Sequence, residues 1–359
     1  MSTPVGYLVG LAVLALPALR PPRLPRPLGA ALFLTTLAIG ELPVLAALAF
    51  GASTALAVVQ GDLGSPVAAA AAVLAAGCLV LTAWRGARAG AVLRGAVAPT
   101  PVPSGPWWRV LLLPFAVRPR TVERVSDLVY GPAGRRHRFD LYRRRAGVTG
   151  APVLIHLHGG YYTTGHKSSQ SLPLLHRLAE RGWVCLSANY RLRPAASVEE
   201  HVEDVRRLVA WVRRHGEAWG ADPGRIVLSG SSAGAHMSAL AACAPEGERT
   251  FEGVDTSVSA VVGLGGYWGR YFGRGPETSP TETVGADAPP VMVVHGDHDS
   301  VVPVENARLF AGRLRSVSHA PVVYAELPGG QHGFDLFWSP RFTAVVNAVE
   351  AFANRVVGR

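Results

Sequence analysis

Five residues, Gly230-Ser231-Ser232-Ala233-Gly234, constrain what this chain can fold into more than any other stretch. They follow an apolar run, Arg225-Ile226-Val227-Leu228-Ser229, and open an Ala-rich segment over residues 233–243. A strand that becomes a helix within so few residues must bend sharply. The residue at the bend takes a strained backbone conformation, and its neighbours two before and two after must be small. Gly230 and Gly234 meet that need. Ser232 is then expected at the C-terminal end of a sheet, beside the first amides of the new helix, where a hydroxyl can serve as nucleophile. The chain holds 40 glycines, so the pentapeptide alone could arise by chance. Its weight depends on its surroundings.

Those surroundings alternate. Apolar runs of strand length at 121–130, 137–142, 152–158, 183–189, 225–229, 258–264, 290–295 and 322–327 are separated, after the first three, by helix-like segments at 172–181, 198–214, 233–243, 304–317 and 342–356. Short continuous apolar strands interleaved with helices predict a mostly parallel sheet with helices on both faces.

Three loops at strand ends carry chemistry. The first is the turn at Ser232. The second, His295-Gly296-Asp297-His298-Asp299, leaves one strand and precedes a helix. An acid here falls after the nucleophile and before the histidine in chain order. Asp299 lies further out on the loop and is the choice for the acid; Asp297 is the rival, better suited to bracing the turn. These residues crowd one tight loop, so no metal site is expected. The third, Gly329-Gly330-Gln331-His332-Gly333-Phe334, follows the last strand, and its glycines let His332 fold back over the serine. The roles follow. Ser232 Oγ attacks an acyl carbon, His332 takes its proton, and Asp299 orients the imidazole. Ala233 and the loop after His158 (Gly160 and Tyr161, with Gly159 allowing the tight path) would supply the amides of an oxyanion hole. His158 reads as a structural hydrogen-bonder and His156 as core. No cofactor is expected.

The first hundred residues are different. Hydrophobic residues make up 49% of the chain, and segments near 3–19, 28–50 and 64–84 approach the roughly 20 residues a helix needs to cross a bilayer. The first has no basic stretch before it and does not read as a signal peptide. Three spans over 1–95 make an all-α transmembrane anchor, 96–120 a Pro-rich linker, and 121–359 the catalytic domain. Arg20, Arg23 and Arg26 in the first loop, none in the second, and Arg85, Arg88 and Arg94 after the third place the N-terminus outside and the catalytic domain in the cytoplasm. The protein is thus expected in the cell membrane, multi-pass, with the lipid bilayer as partner. Glu41 is read as sitting at a helix break near the surface. Trp107-Trp108 beside Arg109 suits a membrane interface, a lid or an ordinary packed segment. The net charge of +10 is almost wholly Arg, Lys167 being the only lysine, and it is scattered without a recognition motif, which argues against nucleic acid. Three cysteines form no disulfide framework.

With HGGYYTTG (158–165), NYRLRP (189–194), GADPGRIVLSGSSAGAH (220–236), HGDHDSVVP (295–303) and QHGF (331–334), the chain resembles the hormone-sensitive-lipase-like branch of the α/β-hydrolases over about residues 122–359. The resemblance implies an α/β-hydrolase fold and a serine carboxylesterase acting on lipophilic or short-chain acyl esters. Tyr161 stands where the family has a third glycine and would line the acyl site; Ser231 stands where it often has Asp. HGGY and SAGAH are also similar to arylformamidases, the runner-up, and to prenylcysteine methylesterases. The short 265–289 loop leaves no room for a large cap, so Tyr267, Trp268, Tyr271 and Phe272, with Tyr162 and Ser231, are candidate pocket walls or sheet-edge packing. An inert membrane-tethered binding protein on the same scaffold is the alternative of another class.

Overall fold

In the computed structural model, residues 3–22, 28–105, 108–112, 114–115, 117–243 and 245–359 are described. The chain opens with four apolar helices, α1 (Thr3–Leu19), α2 (Leu28–Glu41), α3 (Pro43–Val59) and α4 (Pro66–Val97), then a short α5 (Trp108–Leu112). The expected span at 28–50 is two helices. Pro43 has no N–H to continue α2 and starts α3 instead, and the axes bend by 93° at the break. Among the described residues one helix, α4, is long and apolar enough to cross a membrane; α2 and α3 qualify only as a bent pair, and α1 is shorter. The three-helix anchor therefore reduces to one candidate span. Arg23, Arg26 and Trp107 lie outside the described residues.

The α4 helix runs 32 residues, about 48 Å at 1.5 Å per residue. Its first half exposes Val67, Val73 and Val80, and Trp84 just past the midpoint is exposed too. Its last turns bury Ala89, Leu93 and Val97 in one cluster with Leu327, Phe342, Val345 and Val346. Arg85 Nη1 donates to the Leu19 carbonyl at 2.6 Å, tying the end of α1 to the middle of α4.

Beyond α5 come β1 (Val122–Val129), β2 (Arg138–Arg144), β3 (Ala151–Leu157), α6 (Leu172–Glu180), β4 (Val184–Ala188), α7 (Val198–His215), β5 (Ala221–Ser231) and α8 (Ala233–Ala242). A two-stranded hairpin, β6 (Thr250–Phe251) and β7 (Val254–Asp255), precedes β8 (Ala260–Leu264), α9 (Pro280–Thr283), β9 (Val291–Gly296), α10 (Val304–Val317), β10 (Val322–Leu327) and α11 (Pro340–Val356). The sheet order is β1-β2-β4-β3-β5-β8-β9-β10. The pairs β1/β2 and β2/β4 are antiparallel and the rest parallel.

Alternation along each strand splits the core. Val153, Ile155, Leu157 and Leu228 face α7, α8 and α10, while Leu154, Val227, Met292 and Val294 face α4, α6 and α11. Helix starts are specified locally. Ser197 Oγ accepts from the Glu200 amide at 3.3 Å while Glu200 accepts from the Ser197 amide at 2.9 Å, a capping box opening α7. Ser339 caps α11 by accepting from the Phe342 amide at 2.9 Å.

Candidate active site

The turn between β5 and α8 is as tight as its sequence demands. Ser232 has φ 52° and ψ −114°, a conformation L-residues rarely adopt. A Cβ on Gly230 would lie 2.2 Å from Gly234, and one on Gly234 2.0 Å from the Leu157 carbonyl, so both positions require glycine. The Ser232 amide donates to the Leu264 carbonyl at 2.9 Å, locking the bend to β8. Ser232 opens onto a cleft of about 190 Å³ walled by Tyr161, Tyr162, Tyr267, Tyr271, Phe272 and the Val301–Pro303 segment.

Asp299 and His332 come together. Nδ1–H of His332 donates to Asp299 Oδ2 at 2.7 Å. The other carboxylate oxygen accepts from the amides of Val301 at 2.9 Å and Val302 at 2.7 Å, and His295 Nε2 lies 3.2 Å from Oδ2. Burial favours the neutral acid, but the adjacent His332 and the hydrogen bonds from His295 and His332 hold the carboxyl well below its usual range. For His332, burial alone would lower the pKa; the charge and hydrogen bond of Asp299, with a smaller contribution from Asp335, raise it instead. Asp297 faces away and accepts from the Gly329 amide at 2.6 Å. With Nδ1 committed to Asp299, the imidazole has Nε2 to take a proton. A Cβ on Gly265, next to the residue that binds the Ser232 amide, would be 3.6 Å from His332 Nδ1, so serine and imidazole flank the same backbone. No Ser232–His332 hydrogen bond is formed among the described residues; such bonds are commonly long in unliganded sites and tighten with substrate.

The loop after β3 supplies the facing wall. A Cβ on Gly159 would approach the Ser232 Cβ to 3.0 Å, and one on Gly160, at φ +123°, the Thr164 carbonyl to 2.2 Å. Gly159 is needed for close approach, but its amide donates to Gln170 Oε1 at 2.5 Å and is not turned to the cleft. Ala233 is the first residue of α8, so its amide has no intrahelical acceptor. Tyr161 and Tyr162 both have left-handed backbones, φ 58° and 61°. Side chains hold Tyr162 there. It stacks on His201 at 4.6 Å, and its hydroxyl lies 2.6 Å from His236 Nδ1. His236 Nε2 donates to the Gly269 carbonyl at 2.9 Å, and burial lowers the imidazole pKa to about 4. The ring is therefore neutral at pH 7, and Tyr162 is the donor. His158 donates to the Gly159 carbonyl at 2.6 Å and stacks on Tyr190, the structural part its sequence position predicts.

Two candidate pocket residues lie elsewhere. Ser231 turns its hydroxyl to Asp335 Oδ2, 2.5 Å away, under the turn. Trp268 is fully buried, stacked on Phe310 with centroids 4.2 Å apart, because β8 carries it inward against α10. Glu41, expected near the surface, is buried and paired with Arg341. Among the described residues none from 100–120 lines the cleft; Phe115 packs edge-on against Phe337 and Arg109 pairs with Glu180 at 3.0 Å. Sequence reasoning missed Gln170, His236, Gln331 and Asp335. Asp335 is three residues past His332, immediately after the base motif. Burial raises its pKa against the hydrogen bonds it accepts from Ser171 and Ser231.

Known proteins resemble this chain across the same region. The family model described as BD-FAE matches residues 139–267. The probable carboxylic ester hydrolase LipM of Mycobacterium tuberculosis (strain ATCC 25618 / H37Rv) is 42% identical over 262 residues, 64% of this chain and 61% of LipM. The isoprenylcysteine alpha-carbonyl methylesterase ICME of Arabidopsis thaliana is 30% identical over 53% of this chain and 52% of its own length. The chain thus spans less than two thirds of either relative. The butyrate-bound Est2 esterase of Thermogutta terrifontis superposes with a TM-score of 0.55 at 25% identity, covering 67% of this chain and 94% of that one. A strained serine turn between β5 and α8, a paired Asp299 and His332 on the loops after β9 and β10, and these likenesses together give the chain an α/β-hydrolase fold similar to that of carboxylic ester hydrolases.

Proposed function

We propose that the protein is a serine carboxylesterase. The Asp299–His332 pair, beside the backbone that locks a strained Ser232, is the observation that carries the reading. Ser232 Oγ attacks the ester carbonyl as His332 Nε2 takes its proton, and Asp299 stabilises the imidazolium. The tetrahedral oxyanion is met by amides of Ala233, Gly160 and Tyr161, each worth about 3 kcal/mol in the transition state. His332 then protonates the departing alcohol, leaving an acyl-Ser232 that water hydrolyses by the same path reversed. The relatives' names support ester substrates. The narrow aromatic cleft suits a short acyl group, with Tyr161 restricting bulky ones.

The catalytic unit is 121–359, preceded by an apolar membrane-binding segment and a connecting stretch. In our reading the first half of α4 crosses the bilayer, with Trp84, Arg85 and Arg88 at its surface. The Arg88 guanidinium lies 4.7 Å from the Trp84 ring, a pairing suited to the interface. Because Arg85 grips the end of α1, Arg20, Arg85, Arg88 and Arg94 share the catalytic side, which the positive-inside rule makes cytoplasmic. Labelling with a fluorophosphonate tests the chemistry: wild type should label and Ser232→Ala should not, and equal labelling would sink the proposal. Hydrolysis of p-nitrophenyl esters of graded length beside N-formylkynurenine tests the substrate class; preference for the formamide would replace it. A tag at Arg359 reachable only after permeabilisation supports the orientation, and one reachable from outside refutes it.

A further inference from the structure

Arg341, fully buried at the start of α11, joins two segments distant in sequence, Gly40–Glu41 and Pro328–Gly329. Its Nη1 donates to the Glu41 carboxylate and, at 3.5 Å, to the Gly40 carbonyl, both at the end of α2. Its Nη2 donates to the carbonyls of Pro328 and Gly329 at 3.2 Å each, where the His332 loop begins. A second link lies one turn back along α2. Gln331 Nε2 donates to Thr36 Oγ1 at 3.1 Å, while Gln331 Oε1 accepts from the amides of His332 at 2.9 Å and Ser300 at 2.8 Å. The Phe33 ring stands 6.5 Å from the His332 imidazole, and Thr36, Leu37 and Glu41 form the buried face of the helix.

The loop from Gly329 to Gly333 holds three glycines and has little stiffness of its own. Proton transfer nevertheless needs the imidazole held to within about 0.5 Å. A buried ion pair adds little stability over apolar packing of the same volume, and its best-attested use is to fix one arrangement over others. Glu41–Arg341 fixes where α2 meets this loop.

We propose that α2 is part of the catalytic machinery: Thr36 and Glu41 are positioning residues that hold the His332 loop toward Ser232 through Gln331 and Arg341. This rests on His332 being the base. The apolar N-terminal segment then braces the His332 loop and is not a separable anchor.

The test uses the full chain in detergent, with p-nitrophenyl butyrate turnover and the rate of Ser232 labelling by a fluorophosphonate. Thr36→Val keeps the shape and removes the bond from Gln331, together with the hydroxyl's own bond to the Phe33 carbonyl at 3.1 Å, a loss of the same kind that Thr54→Val controls for. It should lower kcat about five- to tenfold with KM changed less than about twofold, and slow labelling in parallel. On a Gln331→Leu background the same substitution should be silent, because its effect travels through Gln331. Glu41→Gln should cost more, and its folding is followed by thermal melting because it strands a buried guanidinium. Thr54→Val on α3, whose hydroxyl among the described residues bonds only the Phe50 carbonyl of its own helix, should keep the wild-type kcat. Unchanged kcat in folded Thr36→Val and Glu41→Gln, a rise in KM alone, an equal loss in Thr54→Val, or an undiminished effect on the Gln331→Leu background would each overturn the positioning role while leaving the esterase reading intact. A wild type that does not label would overturn both.

Discussion

Asp299→Asn is the sharpest probe of the site. The carboxylate accepts from His332 Nδ1 at 2.7 Å and from two backbone amides on its other oxygen. Asparagine keeps the shape and can keep the amide contacts through its carbonyl oxygen. Its NH₂ group then faces Nδ1, which must become an acceptor, moving the ring proton to Nε2, where it blocks transfer from Ser232. Losing a charge-assisted hydrogen bond costs about 1.5–3 kcal/mol, roughly 10- to 150-fold in rate. The wrong tautomer brings the total to about 10²–10⁴ in kcat, with KM changed little. The pH profile gives an independent reading. His332 must be neutral to act, and Asp299 and Asp335 raise its pKa, opposed by burial. Wild-type kcat/KM therefore falls as the pH drops through that raised value. In Asp299→Asn the remaining activity should persist to lower pH, since the main anion favouring the imidazolium is gone. Steady-state hydrolysis of p-nitrophenyl butyrate from pH 5 to 9, with circular dichroism to confirm folding, measures both. A folded Asp299→Asn enzyme with more than a tenth of wild-type kcat, or an equal loss in Asp297→Asn, would refute the assignment.

Trp268→Ala should destabilise by about 3–5 kcal/mol through a cavity against Phe310, seen in chemical denaturation, and shift KM less than Tyr267→Ala does. Gly160→Ala should lose at least about a hundredfold in kcat, because a Cβ cannot fit 2.2 Å from the Thr164 carbonyl and the loop must move; wild-type turnover would show that its amide plays no part. Tyr161→Ala should raise kcat/KM for branched acyl esters relative to acetate, measured by competition, because its half-exposed ring walls the cleft. Asp299 should also stabilise the fold above the ordinary carboxyl pKa of about 4 and lose that contribution as the pH falls through its lowered value, so the melting difference from Asp299→Asn should shrink in acid.

The α/β-hydrolase fold was largely legible because its signals are local. Apolar runs bounded by glycine and proline gave strands within a few residues of those observed, and the Gly-x-Ser-x-Gly spacing determined the turn. What escaped depends on distant partners. Glu41 reads as a surface break because nothing nearby can neutralise it; Arg341 does so from 300 residues on. The break at Pro43 was visible, but not that the preceding helix would pack onto the His332 loop. Trp268 and Tyr267 are adjacent aromatics with opposite fates, decided by which face of the β8 exit meets Phe310. The Gly159 amide could be excluded as a cleft donor only once Gln170 was seen to occupy it.

The unbroken α4 has a mechanical consequence. A flexible tether would let an enzyme swivel and sample a range of heights above a surface. A single helix, apolar and exposed at one end and buried among Phe342, Val345 and Leu327 at the other, acts as a strut. In the membrane setting proposed above, it would transmit tilt and depth directly to the residues that follow, holding the mouth of the cleft at one elevation and one heading. Shortening or lengthening the strut by one residue would rotate that mouth by about 100° and move it by about 1.5 Å.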